Sequence, residues 1–270
     1  MFFSAPQLKR DPLGVRVRNP VRTNLRLSPA LVLALACQQP PETRSAVNAP
    51  GSQPSAAPAS SDSIGAGLDS LDRTVCQGIN NSYQCAQAIE KHLLADGGRG
   101  VARRGAELAI PLLNGDTLAL RDSTPDTPTG VWHSYRAYLP SIGYHVVEVQ
   151  YYEGSTYLLV NGTSGKKTFS NGLPVVSPDN RRIAAGNVDL EAEFSPTTLQ
   201  VWRLERDSLA LEWEHDFLAG GAATDTTWGP SEVRWLTPTE IHVTKKYALG
   251  ETRGATLFRF GSTGWVFSPP

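Results

Sequence analysis

Few residues in this chain have both the type and the spacing to do chemistry. The run Asp189-Leu190-Glu191-Ala192-Glu193 sets three carboxylates two residues apart. On a strand all three would point to one side, because strand side chains alternate. Oxygen ligands gathered that way could hold Ca²⁺ or receive a basic ligand. On a loop the same residues are a solvated charged segment, the usual place for carboxylates. Ser164 and Lys167 match S-x-x-K, a serine-nucleophile pattern, but that chemistry needs a helix and further motifs that the surrounding residues do not supply. "NGTSGKKT" carries Gly165 and Lys166 of a phosphate loop, yet Val160 stands where its first Gly belongs, so a hairpin turn is the better reading. The five His are scattered. His215 sits between Glu214 and Asp216, which on a strand would face the opposite side from it. His133, His145 and His242 alternate with apolar residues, as half-buried structural side chains do. No catalytic residue is assigned, and Ca²⁺ is the one cofactor that any cluster suggests.

The cysteines say more. "LSPALVLALAC" runs from Leu27 to Cys37. It is too short to span a bilayer, which needs about 20 apolar residues, but suits the apolar region of a signal peptide, about 7–15. The residues before it are basic: Lys9, Arg10, Arg16, Arg18, Arg22 and Arg26 against Asp11. The closing "LALAC" resembles the lipobox of bacterial lipoproteins, with Ala36 before the cut and Cys37 after it. Ala34 and Leu35 depart from that motif's commonest residues and are tolerated variants of it. The resemblance implies that residues 1–36 are a signal peptide and that Cys37 becomes the acylated N-terminus. The leader is long, and a start at Val21 would make it compact, so residues 1–20 read as an over-extended gene start. Residues 37–68, rich in Pro, Ser, Ala, Gln and Gly, cannot bury enough apolar surface to offset their ordering entropy and form a disordered tether.

Charge narrows the partners. The chain has 25 Lys+Arg and 26 Asp+Glu; without the six basic and one acidic residues of positions 1–36, 19 basic face 25 acidic residues. A net charge near −6 argues against nucleic acid, which needs a basic patch. With Cys37 assigned to lipid, Cys76 and Cys85 are an even pair in an exported protein and read as a disulfide, with two buried free thiols as the alternative. Nine residues of continuous helix would hold their Cα atoms about 13.5 Å apart, too far for a bridge, so the chain must fold back, as Gly78, Asn80 and Asn81 permit.

The elements that would position these residues follow from periodicity. Residues 69–98 are the helical segment. Asn81 and Gln84 read as N-cap and capping-box partner, and Cys85, Ala86, Ile89 and Leu93 share a face. "ADGG" ends it. Residues 106–270 are β-rich. "ELAIPLL" and "DTLALRD" flank a turn at Asn114-Gly115, and short apolar strands separated by turn signals continue to the C-terminus. Trp202, Trp213, Trp235 and Trp265 fall inside strands as core, whereas Trp132 and Trp228 fall in loops, where aromatics could bind a sugar or peptide.

Two stretches echo each other. "VVSPDNRRIAAGN" followed by "LQVWRLERDSLALEW" parallels "VRWLTPTEIHVTK" followed by "ATLFRFGSTGWVF". In both, a Ser/Thr-Pro turn precedes a strand and a later strand reads apolar–aromatic–Arg–apolar. "SPDNRRIA" resembles the blades of WD40-like, TolB-type β-propellers, with Asn180 where Gly is usual; Asn also tolerates the left-handed turn. The expected fold is therefore mainly β: a small propeller-like or β-sandwich domain of antiparallel strands with one N-terminal disulfide-stapled helix. The resemblances imply a lipid-anchored cell-envelope protein, sorted by Gln38 to the outer membrane where one exists, whose β domain binds a partner protein or glycan. Two alternatives stay open: an envelope-polymer hydrolase with Asp189 and Glu191 as acid and base, and a lipoprotein inhibitor of an enzyme.

Overall fold

The computed structural model describes residues 71–123, 127–259 and 264–267. The leader, Cys37 and the tether lie outside them. Residues 71–75 are helical, and Cys76 closes this turn by donating its N–H to the Asp72 carbonyl at 3.0 Å. The chain then reverses at Gly78, whose φ of +83° is open to glycine at no steric cost. Asn81 caps helix α1 (Ser82–Ala95), its Oδ1 accepting the Gln84 N–H at 3.0 Å. The reversal brings Cys76 and Cys85 to a Cα separation of 5.1 Å, and they form a disulfide. Ala86 and Ile89 are buried on the inner face of α1, together with Glu90, an acid on the apolar stripe.

The remaining described residues make four antiparallel sheets in chain order. The first holds β1 (Ala102–Arg104), β2 (Glu107–Pro111) and β3 (Thr117–Arg121). The second holds β4 (Val131–Leu139), β5 (Tyr144–Tyr151), β6 (Ser155–Asn161) and β7 (Lys167–Ser170). The third holds β8 (Val175–Val176), β9 (Arg182–Asn187), β10 (Thr198–Leu204) and β11 (Leu209–Asp216). The fourth holds β12 (Trp228–Thr237), β13 (Glu240–Tyr247), β14 (Thr252–Arg259) and β15 (Trp265–Phe267). Every sheet is a meander whose neighbours in space are neighbours in sequence.

Period-two alternation explains how the sheets stack. On β5 and β6, Val147, Val149, Leu158 and Val160 pack against Leu108 and Ile110 of the first sheet. Val146 and Leu159, pointing the other way, pack against Ile183, Ala185 and Trp202 of the third. Ala184, Leu199 and Val201 then meet Trp235, Ile241 and Leu257 of the fourth. Three cores thus separate four successive meanders. This is propeller-like stacking rather than a two-sheet sandwich. The echoed turns occupy equivalent places, between the first and second strands of the third and fourth sheets. Asn180 is left-handed at φ +57°, and the Ser177 hydroxyl accepts the Arg182 N–H at 2.9 Å while donating to Asp179.

Polar ties lock neighbouring sheets. Glu212 on β11 accepts from Arg182 at 2.7 Å and pairs with Arg259 of β14 at 2.5 Å. Arg136, the extra residue of a bulge in β4, is buried and grips Asp72 through one nitrogen at 2.7 and 2.9 Å. This contact fastens the first helical turn onto the second sheet. Glu148 lies 3.5 Å from the Arg136 Nε; burial raises its carboxyl above the ordinary value despite that charge.

Two outcomes are expected. Replacing Cys76 and Cys85 by Ser removes a short cross-link and lowers stability by about 2–3 kcal/mol, read from urea unfolding. His145 is buried, and its Nδ1 lies 3.1 Å from the Tyr135 hydroxyl. Burial, reinforced by the charge of Arg99, lowers its pKa to about 4. Below its ordinary pKa of about 6.5 the unfolded chain takes up this proton and the folded chain does not, so stability falls as pH drops from about 6.5 towards about 4. Wild type should lose about 2 kcal/mol more than His145→Gln between about pH 7 and about pH 5. Equal losses in the two proteins would exclude this assignment.

Candidate functional site

A cleft of about 350 Å³ opens where α1 meets the first sheet and β4. Tyr83 and Trp132 form an aromatic wall, with ring centroids 5.2 Å apart and planes tilted by 54°. The floor is ionic. Arg103 on β1 grips Glu90 of α1 through Nε and Nη2 at 2.8 and 2.9 Å. Its Nη1 donates to Asp122 at 2.9 Å, and its Nη2 also donates to the His133 carbonyl. The other Asp122 oxygen accepts the His133 N–H at 2.8 Å and lies 3.1 Å from His133 Nδ1. Glu90 further accepts the Tyr135 N–H at 2.8 Å. The elements explain this convergence: α1 supplies Tyr83 and, two turns on, Glu90, β1 supplies Arg103, and β4 supplies Trp132 and His133 as strand neighbours.

Each charged group in this floor is held by another. Such a network orients donors and acceptors rigidly but leaves no carboxylate idle to act as a nucleophile or a proton acceptor. Asp122 also fixes the orientation of the His133 ring. The cleft thus combines a tilted aromatic pair with a preorganised polar floor.

Sequence reasoning placed candidates elsewhere. Asp189, Glu191 and Glu193 lie on a loop between β9 and β10, not on a strand. They do not form one carboxylate face. Asp189 turns back into its own loop and accepts the N–H groups of Ala192, Glu193, Phe194 and Ser195 at 2.8–3.1 Å. Desolvation is the largest single influence on it and acts upward, yet the four amide bonds together pull its pKa below the ordinary value. Glu191 and Glu193 are exposed. Among the described residues no group of three or more His, Cys, Asp or Glu is gathered for a metal ion, so the Ca²⁺ arrangement expected from a strand does not form.

Trp132 and Trp228 are strand residues rather than loop residues, because β4 and β12 begin earlier than the apolar pattern suggests. The structure does not bring them together. Trp228 packs at 4.5 Å against Phe217 and 5.5 Å against Phe267, with the Lys245 ammonium 4.3 Å above its ring. His215 stacks on Trp213. Ser164 sits in the β6–β7 hairpin turn and donates to Asn161 at 3.1 Å. Cys37 lies outside the described residues. The cleft residues Glu90, Arg103, Asp122 and His133 are the ones that sequence reasoning missed. One signal was available: Glu90 follows Ala86 by one turn on the apolar face of α1, and an acid there must find a buried partner.

No protein-family model matches the sequence, and no curated protein matches it. Two solved structures are similar to part of it, from Bacteroides fragilis and Bacteroides uniformis, each provisionally described as a 6-phosphogluconolactonase. Their identities are 10% and 11% and their TM-scores 0.32 and 0.30; each match covers 62% of this chain and 54% of the other. The chain thus spans about half the length of the structures it matches. At that distance the likeness carries no argument about activity, and the propeller-like character rests on the stacked meanders themselves.

Proposed function

We propose that this chain is a lipid-anchored protein of the bacterial cell envelope whose β domain binds a glycan in the cleft, without acting on it chemically. The observation that carries the binding reading is the Tyr83–Trp132 pair above the Arg103 floor. A saccharide presents an apolar C–H face, suited to an aromatic ring, and hydroxyl edges, suited to fixed donors and acceptors. Trp132 sits on a strand and Tyr83 on a helix braced by the disulfide, so both are held before ligand arrives, which lowers the ordering cost of binding. The mutual pairing of Glu90, Arg103 and Asp122 favours recognition over catalysis. The hydrolase alternative is weakened by Asp189, whose carboxylate is occupied by four backbone amides.

The anchor half of the proposal rests on sequence: the basic leader, the short apolar run, "LALAC" and the tether. Several acyl chains on Cys37 would give stable attachment at about 0.8 kcal/mol per buried CH₂. Gln38 after it favours the outer membrane where one exists.

Trp132→Ala should weaken binding of envelope glycan fragments at least tenfold, about 1.4 kcal/mol, measured by calorimetry on protein that urea unfolding shows to be folded. Undiminished binding would exclude the cleft. Cys37→Ala should lose radiolabelled palmitate and membrane association together; an unlabelled, soluble wild type would sink the anchor.

A further inference from the structure

We infer that the cleft prefers a saccharide bearing a protonated amino group, held between the Trp132 ring and the Asp122–Glu90 carboxylates; this rests on the glycan-binding reading above. Charge comes first. The lining side chains carry two carboxylates, Glu90 and Asp122, against one guanidinium, Arg103. Carboxylates thus outnumber guanidinium groups by one in this floor. The side chains of Glu90 and Asp122 are only 9% and 17% exposed, so water screens their charge weakly.

The donors point the same way. Arg103 has five N–H groups and spends four of them on Glu90, Asp122 and the His133 carbonyl. One N–H remains, too few for the two-pronged grip by which arginine recognises a carboxylate or phosphate. An anionic sugar would meet the surplus carboxylate with no fork to receive it. An ammonium would meet complementary charge and an aromatic face.

The aromatic wall has the right chemistry for that cation. A cation over a Trp ring gains from the ring's quadrupole. This chain makes such contacts elsewhere, with Lys245 over Trp228 at 4.3 Å and Arg99 over Tyr138 at 4.1 Å. Among the described residues no cation lies over Tyr83 or Trp132. Both residues line the cleft, so a ligand there would meet aromatic surface of this kind.

The test titrates the full chain in detergent with glucosamine, N-acetylglucosamine and galacturonic acid oligosaccharides of equal length, followed by calorimetry. The glucosamine oligomer should bind about tenfold more tightly than its N-acetyl counterpart, and the galacturonate least. The glucosamine advantage should shrink as salt is raised, a readout on the wild type that needs no variant to fold. Asp122→Asn should erase the advantage while Trp132→Phe keeps most of it. Equal or tighter binding of the N-acetyl or acidic oligomer overturns this inference and leaves the glycan reading standing. Binding of none of the three overturns both.

Discussion

The second sheet is apolar on both faces, and neither face can be left in water. Seven of the eight residues of β5 are buried, and the exception is the last, Tyr151. Such a strand must be covered twice. A two-layer sandwich would cover it once. The first and third sheets supply the two covers, and the third, apolar on both faces in its turn, requires the fourth. The stacked architecture follows from this one constraint, with each core fed by alternate residues of adjacent meanders.

Helix α1 is placed by a different force. Its apolar stripe is short, and Glu90 interrupts it. Burying that acid alone would be costly; Arg103 and the Tyr135 N–H compensate it. A buried ion pair adds little net stability compared with an apolar pair, but it is demanding in geometry. The result is register: α1 can dock only where Glu90 meets Arg103. Asp72 on Arg136 and the Cys76–Cys85 bridge hold the preceding turn beside it. The docked helix creates the cleft, because Tyr83 reaches Trp132 only from this position.

The sequence was readable where physics is local. The hairpins at Asn114-Gly115 and Gly162–Lys166, the reversal before α1 and the Asn180 turn depend on a few neighbouring residues, and the structure contains each of them. Strand β4 was not legible. "VWHSYRAYL" places Ser134 and Arg136 inside a run that must be buried, and the bulge at Arg136 breaks the alternation. Its polar residues are accommodated by partners distant in sequence, Asp72 above all. Asp189 is the converse case: its spacing allowed a strand or a solvated loop, and the loop forms, with the carboxylate accepting four amides of its own segment.

By itself the sequence determined the meanders, the turns, the capped helix and the pairing chemistry of Cys76 with Cys85, because short-range sterics and alternation act before any distant contact forms. Tertiary structure alone decided the order of stacking, the burial of Arg136 and the cleft. Glu90, Arg103, Asp122 and His133 come from four separate stretches of chain. Nothing in their spacing relates them. They meet because the two-faced sheets must stack, and because a helix carrying a buried acid can settle only where a cation awaits it.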